Sequence, residues 1–153
     1  MHQLTSVVTG ANTGLGRATA QALAARGDRV VFACRSEDKA IAAMDAVAAA
    51  TGSDQLEFLA LDLTDLDQVR DAARSLIDRG DPIHLLVANA GVAAQKGVTA
   101  QGFELAFGVN HLGTFLLTSL LLDRLRASAP ARIVVVSSHA HKHVGNGLDF
   151  DDL

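Results

Sequence analysis

The sequence predicts an α/β domain in which helices cover both faces of a doubly wound parallel sheet. Five short apolar runs alternate with four longer helical patterns along 153 residues, and short loops join them. The apolar runs are continuous, as in parallel strands that are buried on both faces. Such a sheet is expected to have the strand order 3-2-1-4-5, with a ligand at the carboxyl ends of the strands beside the first. The predicted strands span 4–8, 29–33, 56–61, 83–88 and 132–137.

The helices are predicted from amphipathic spacing and from the glycines that follow them. The segment 65–79 places one set of apolar residues on a single stripe: Leu66, Val69, Ala73, Leu76 and Ile77. Gly27, Gly52 and Gly80 follow the first three helices and are expected to end them. The fourth helix, 101–127, is apolar on most sides, so we expect it to need cover from more than the sheet.

The bulk composition excludes several classes of function. With 49% apolar residues the chain can bury a core, and a formal net charge of −4 provides no basic surface for nucleic acid or a membrane. The sole cysteine, Cys34, excludes an internal disulfide and suits a reducing compartment. The N-terminus runs almost at once into a strand, which leaves no room for a signal peptide. The most apolar stretch, 112–122, is too short to span a bilayer. We therefore expect one cytoplasmic domain without a nucleic-acid or membrane partner.

A glycine-rich loop joins the first predicted strand to the first helix. It lies within TGANTGLGRATA, residues 9–20, and contains Gly10, Gly14 and Gly16. Glycines let the backbone turn sharply and approach a ligand without a Cβ in the way. The free N–H groups and the positive dipole end of the following helix point at this loop, where a pyrophosphate fits. The order strand, loop, helix favours phosphate binding over a turn that only packs helix on strand.

Several further motifs accompany this loop. Its spacing is G-x-x-x-G-x-G, and NAG follows at 89–91, Asp62-Leu63 after the third strand, Asn110 within GVNHLG, and VVVSS at 134–138. Together they resemble the short-chain dehydrogenase/reductase (SDR) family over nearly all 153 residues. ACRS, GVNHLGTFLL and SSHAH are most similar to its branch of retinol dehydrogenase-like and protochlorophyllide reductase-like enzymes.

The resemblance implies an oxidoreductase with a Rossmann-type domain that transfers hydride between a nicotinamide cofactor and a small carbonyl or alcohol substrate. It also implies a homo-oligomer in the full-length form. The cofactor would be bound by residues that match the family motifs: Thr9, Gly10, Asn12, Thr13, Gly14, Leu15, Gly16, Arg35, Asp62, Leu63, Asn89, Ala90 and Gly91. An isolated Asp after a strand is more often a helix cap, and Thr64 or Asp65 could also cap the next helix. Only the family context makes Asp62 an adenine contact.

The end of the second strand predicts which nicotinamide cofactor is bound. An NAD site usually places an acid there to bind the ribose 2′-hydroxyl, but this strand ends Ala33-Cys34-Arg35-Ser36. The planar cation of Arg35 suits the 2′-phosphate of NADP. Arg17 could add to the positive potential, although an exposed helix position explains it equally well. We predict NADP(H) in preference to NAD(H).

The catalytic residues predicted by resemblance are Ser138, which would position the carbonyl, and Asn110, which would complete a proton path. An Asn inside a helix disfavours that helix and can mark a local kink. In the family a Tyr-x-x-x-Lys pair supplies the proton, but this chain contains no tyrosine. We therefore expect 1–153 to be a single NADP(H)-binding domain that is incomplete at its C-terminus, ends before the later strands, and is inactive by itself.

Three histidines, His139, His141 and His143, follow the predicted catalytic serine. Histidine is a competent acid near neutral pH, and the spacing could suggest a metal. Nothing else in the sequence supplies a ligand set, so we predict no metal and a loop role for these histidines. Two other functions stay open: a dinucleotide-binding sensor or interaction module without chemistry, and an S-adenosylmethionine-dependent methyltransferase. The latter would normally place an acid where Arg35 stands.

Overall fold

A computed structural model of the chain describes residues 3–93, 95–139 and 142. All strands of its five-stranded sheet are parallel to their neighbours, and the order is β3-β2-β1-β4-β5. This confirms the predicted fold class and strand order. The strands are β1 Thr5–Thr9, β2 Arg29–Cys34, β3 Leu56–Ala60, β4 Leu85–Ala88 and β5 Arg132–Val135.

The helices follow the strands as predicted, with one exception. They are α1 Gly14–Ala25, α2 Glu37–Thr51, α3 Leu66–Asp78 and α4 Thr114–Ala127. The predicted single helix over 101–127 is wrong, because a π-helical segment, Phe107–Gly113, precedes α4. The carboxylate of Glu104 accepts hydrogen bonds from the N–H groups of Ala106 and Phe107 at 2.9 and 2.7 Å. These bonds satisfy backbone donors that have no intrahelical partner, so the helical structure begins beside Glu104.

The sheet separates two apolar cores, because successive side chains of a strand point to opposite faces. Val7 of β1 packs with the residues of α3 and α4, including Val69 and Leu121. Its neighbour Val8 packs on the other face with α1 and α2, together with Phe32 of β2. All five side chains are buried, which explains why the inner strands read as continuous apolar runs.

The apolar stripe of α3 differs from the prediction at two positions, since Leu66 is only half-buried and Ile77 is exposed. Val69, Ala72, Ala73 and Leu76 are buried, whereas Ile77 is 41% exposed. At 100° per residue Ile77 falls at the edge of the stripe, and Ala72 lies nearer its centre. The predicted helix ends are confirmed, since the backbone reverses at three glycines with positive φ: Gly27, Gly52 and Gly80.

The last strand carries the largest apolar exposure of the sheet. We call this the β5 patch, and its side chains Ile133, Val134, Val135 and Val136 are between 38% and 60% exposed. By contrast, Leu117, Leu121 and Leu125 of α4 are buried, and α4 packs against α3. Exposed apolar side chains are therefore contiguous on β5, and Phe115 of α4 is exposed as well. Across the described residues, no helix has the length and apolar character needed to cross a membrane.

Candidate cofactor-binding site

An open cleft of about 390 Å³ lies where β1, β2, β3 and β4 reach their carboxyl ends. This is where parallel α/β sheets bind ligands, because the loops diverge on the two sides of the first strand. The volume falls in the range of small-molecule and cofactor sites. The residues that line the cleft are Gly10, Asn12, Thr13, Gly14, Leu15, Gly16, Ala33, Cys34, Arg35, Ser36, Lys39, Leu61, Asp62, Leu63, Thr64, Asn89, Ala90, Gly91, Val92 and Val109.

The floor of the cleft is the glycine loop between β1 and α1. Gly10 has a φ of +66°, a left-handed conformation that a residue with a Cβ rarely adopts. At Gly16 an added Cβ would overlap the carbonyl oxygen of Gly10 and would lie 2.5 Å from Nδ2 of Asn89. These glycines therefore bring the N-terminus of α1 directly against the loop and against the end of β4. The side chain of Thr13 makes no capping hydrogen bond to α1, so the helix N–H groups can bind an anion. The loop fits a dinucleotide pyrophosphate.

Thr9 joins the ends of β1 and β4 from beneath the cleft. Its buried hydroxyl oxygen accepts hydrogen bonds from the backbone N–H groups of Asn89 and Ala90, both at 2.9 Å. Asn89 returns a bond from Nδ2 to the carbonyl oxygen of Thr9, also at 2.9 Å. Thr9 does not itself line the cleft. In this structure it positions two residues that do.

Asn110 holds the loop that follows β4. Its side chain accepts a hydrogen bond from the N–H of Val92 at 2.8 Å and donates one to the carbonyl oxygen of Val92 at 2.9 Å. Gly91 lies so close that an added Cβ would be 3.1 Å from Oδ1 of Asn110. The asparagine lies within the π-helical segment Phe107–Gly113, and an Asn inside a helix can mark a local irregularity of this kind. Such segments recur at functional sites because they alter the direction of the backbone.

The wall beyond β3 is formed by the turn that leads into α3. Oδ1 of Asp62 accepts bonds from the N–H and the hydroxyl of Thr64, at 2.9 and 2.8 Å. The cap of α3 is Asp65, whose carboxylate accepts from the N–H of Asp67 at 3.0 Å. Gln101 donates to the same carboxylate and, together with Asp67, holds the pKa of Asp65 below its ordinary value. Asp62 is therefore available at the cleft without serving as the cap of α3.

The wall at the end of β2 carries positive charge. Arg35, Ser36 and Lys39 line it, and no carboxylate follows β2 directly. Cys34 lies behind them with 2% of its surface exposed. Burial raises the pKa of the Cys34 thiol, an effect that hydrogen bonds from the backbone N–H groups of Ala11 and Asn12 partly offset. The thiol is therefore neutral at physiological pH. Arg17 is exposed and does not line the cleft.

The predicted catalytic residues lie outside the lining of the cleft. Ser138 follows β5 and is exposed, as is His139. Asn110 does not line the cleft, but it lies against Gly91 and Val92, which do. The positions of His141 and His143 lie outside the described residues. Within the described ranges, no cluster of three or more His, Cys, Asp or Glu side chains could hold a metal.

The structure brings together nearly all of the predicted cofactor residues. Thr9 alone among them is not in the lining. Sequence reasoning missed Cys34, Ser36, Lys39 and Val92. Lys39 could have been found from its position, because a residue three places after the helix N-cap Ser36 lies in the first turn, beside the end of β2. No local signal marks Val92, which is held by a residue 18 positions away.

A glycine loop at a helix N-terminus, beneath a cleft at the switch in strand order, defines a dinucleotide-binding Rossmann-type domain. The family described as short chain dehydrogenase matches residues 5–148. The chain belongs to this family of oxidoreductases, whose members bind NAD or NADP and act on small molecules.

Individual relatives extend this result. The chain is 47% identical to human retinol dehydrogenase 13 over 97% of its own length and 45% of the relative's. It is 49% identical to mouse retinol dehydrogenase 11, over 92% and 44% of the two lengths. A metagenomic short-chain oxidoreductase solved in complex with NADP superposes with a TM-score of 0.78 at 29% identity, over 91% of this chain and 64% of that one. The chain thus spans less than half the length of these curated relatives.

Proposed function

We propose that this chain is the cofactor-binding part of an NADP(H)-dependent oxidoreductase that interconverts a lipophilic alcohol and its carbonyl compound. The observation that carries the proposal is the composition of the cleft. The glycine loop, which fits a pyrophosphate, lies at its floor. Two cations, Arg35 and Lys39, lie at the end of β2. The cation suits a ribose 2′-phosphate, whereas an NAD site would present an acid there.

The comparisons support two parts of the proposal, the choice of cofactor and the class of substrate. The solved NADP complex of a related oxidoreductase supports the choice of cofactor. The names of retinol dehydrogenases 11 and 13 support a lipophilic alcohol as substrate. When bound, the nicotinamide would supply or accept hydride. The residues of this chain would bind the pyrophosphate at Gly10 to Gly16, hold the 2′-phosphate at Arg35, and position the substrate oxygen at Ser138.

The developing alkoxide needs a proton, which the family takes from a tyrosine. The sequence contains no tyrosine, and a positioned general acid contributes about 10²- to 10⁴-fold to rate. We therefore propose that the 153-residue chain binds the dinucleotide but reduces carbonyls poorly. A location in the cytoplasm and homo-oligomer formation remain expectations from the sequence and the family.

The test is isothermal titration calorimetry of the purified chain, which measures the affinity for NADPH, NADH and S-adenosylmethionine separately. We expect NADPH to bind most tightly and S-adenosylmethionine not to bind. The proposal would be overturned if neither dinucleotide bound, or if S-adenosylmethionine bound more tightly than NADPH. Retinal with NADPH then tests the reaction, and robust NADPH oxidation would contradict the expectation of poor activity.

A dinucleotide-binding module without chemistry is the second candidate, and the missing tyrosine favours it. The same assay separates the two candidates when it is repeated with Ser138→Ala. A residual rate that falls with this substitution supports the enzyme. A rate that is indistinguishable from buffer in both forms supports the binding module.

A further inference from the structure

We propose that Gln101 is a positioning residue for the dinucleotide, which holds one wall of the cleft in place without touching the ligand. We call this wall the β3 wall, and it consists of Asp62, Leu63 and Thr64. The inference rests on the proposed function, since it concerns the same cleft. It goes further because it assigns control over one half of the cofactor to a residue that does not line the cleft.

Gln101 binds the start of α3 with both ends of its side-chain amide. Its Oε1 accepts a hydrogen bond from the N–H of Leu66, 35 positions away, at 3.2 Å, and its Nε2 donates to Oδ1 of Asp65 at 3.1 Å. Leu66 is the first residue of α3, where the N–H groups have no intrahelical partner, and Asp65 is the N-cap. The bond from Gln101 is also the main cause that holds the pKa of Asp65 below its ordinary value. A side chain from outside the helix therefore holds its first turn.

The turn that carries Gln101 is itself anchored on two sides. Thr99 is buried, and a Cβ added to Gly108 of the π-helical segment would overlap Cγ2 of this threonine. The N–H of the next residue, Ala100, donates to the carbonyl oxygen of Thr64 at 2.9 Å. The turn therefore links the π-helical segment to the β3 wall, and Gln101 extends that link to α3.

The β3 wall is held at its end by these contacts. It leads directly into Asp65, whose N–H donates to the carbonyl oxygen of Asp62 at 3.3 Å. Without Gln101, the N-cap loses one of its partners and the N–H of Leu66 loses its acceptor. A ligand that binds a loosened wall has to order it, and this cost lowers the affinity.

The strand order places the β3 wall beside one half of the dinucleotide. β2 and β3 lie on one side of β1, and β4 lies on the other. The proposed contact of the ribose 2′-phosphate, Arg35, follows β2, so the adenosine half of the cofactor lies on the side of the β3 wall. The glycine loop, which fits the pyrophosphate, follows β1. Loss of Gln101 should therefore affect binding of the adenosine half and leave the pyrophosphate site intact.

The experiment measures dissociation constants of the 153-residue chain for NADPH, adenosine 2′,5′-bisphosphate and inorganic pyrophosphate. The bisphosphate represents the adenosine half with its 2′-phosphate, and pyrophosphate needs only the glycine loop. Gln101→Leu is expected to weaken NADPH and the bisphosphate by the same factor, roughly twofold to tenfold, the range of one net hydrogen bond. The constant for pyrophosphate is expected to stay unchanged, which a general loss of structure would not allow.

Gln68→Leu is the matched control. Gln68 is also exposed and also donates to the carboxylate of Asp65, at 3.4 Å, but it does so from within α3. This substitution should leave all three constants unchanged. An NMR titration of the Asp65 carboxylate tests the contact directly, because its pKa should rise more in Gln101→Leu than in Gln68→Leu.

The outcomes distinguish this inference from the proposed function. If the unaltered chain binds NADPH and Gln101→Leu binds it equally well, the role of Gln101 is overturned while the proposed function stands. An equal loss for pyrophosphate, an equal effect of Gln68→Leu, or an unchanged pKa of Asp65 also overturns it. If the unaltered chain binds no dinucleotide, the proposed function fails and this inference with it. A loss in Gln101→Leu that is confined to NADPH and the bisphosphate supports the inference.

Discussion

The side-chain amide of Asn110 binds both backbone groups of a single residue, Val92. It accepts the Val92 N–H at 2.8 Å and donates to the Val92 carbonyl oxygen at 2.9 Å. The π-helical segment before α4 thereby holds the loop after β4, which forms one wall of the cleft. This contact gives Asn110 a positioning role in the described structure that does not depend on any bound molecule.

Asn110→Leu is expected to release this loop. Loss of the two bonds at a partly solvated site should lower the free energy of unfolding by about 1 to 2 kcal/mol. NADPH affinity should fall as well, because Gly91 and Val92 line the cleft. Urea unfolding and titration measure the two effects, and hydrogen exchange at the Val92 amide reports the contact directly. Asn110→Asp keeps the acceptor and should protect that amide. If the Val92 amide exchanged at the same rate in Asn110→Leu, the positioning role of Asn110 would be contradicted.

Gly16→Ala is expected to abolish NADPH binding, whereas an alanine at a glycine with positive φ and empty space around it should not. A Cβ at Gly16 overlaps the carbonyl of Gly10, so the loop must move, and overpacking of this kind costs about 1 to 3 kcal/mol. NADPH binding should be lost because the cradle opens. Gly27→Ala is the control. Its φ of +96° is unfavourable for alanine, but nothing lies within 4 Å, so stability should fall while NADPH affinity stays.

The buried thiol of Cys34 predicts a pH dependence of stability. Burial raises its pKa in the folded chain, whereas in the unfolded chain the thiol ionises near its ordinary value of about 8.5. Stability is therefore unaffected below that pH and falls as pH rises from the unfolded pKa through the folded one. Cys34→Ser should lose this alkaline component in urea unfolding from pH 7 to 10. An identical pH profile in both chains would rule out the effect.

The β5 patch predicts surface hydrophobicity and self-association. Apolar surface of this kind on an edge strand favours pairing with other chains. The chain should bind a hydrophobic dye and associate with rising concentration. Val135→Lys should reduce both signals, since Val135 is 60% exposed. Val98→Lys changes a 70% exposed valine outside β5 and should leave them unchanged. A stable monomer that does not bind the dye would contradict this prediction.

The sequence predicts the sheet well because its signals are local. Each strand is a continuous apolar run between turn residues, and Gly52 ends α2 at a φ of +71° as its position after an apolar helix suggests. The cleft floor is equally local, since Gly10 and Gly16 lie six residues apart in one loop. Their spacing alone indicates a close approach of helix and strand.

Three features of the structure are not apparent from the sequence pattern. The helix pattern over 101–127 gives no sign that Glu104 binds the N–H of Phe107 and delays the helical start. Ile77 has the spacing of a buried residue but falls at the edge of the α3 stripe. Thr9 matches a cofactor motif, yet in the structure its hydroxyl holds Asn89. Only the contact of Thr9 joins residues far apart in the sequence. The bonds of Glu104 span two and three residues, and the exposure of Ile77 follows from the helical angle.

The bonds between Thr9 and the end of β4 have a consequence for synthesis of the chain. The two partners are 80 residues apart, and β1 is flanked by β2 on one side and by β4 on the other. While only β1 to β3 have left the ribosome, the wall at Asn89 cannot form, because β4 is not yet present. We therefore expect the cleft to be complete, and the proposed dinucleotide to bind, only after β4 has emerged and paired with β1.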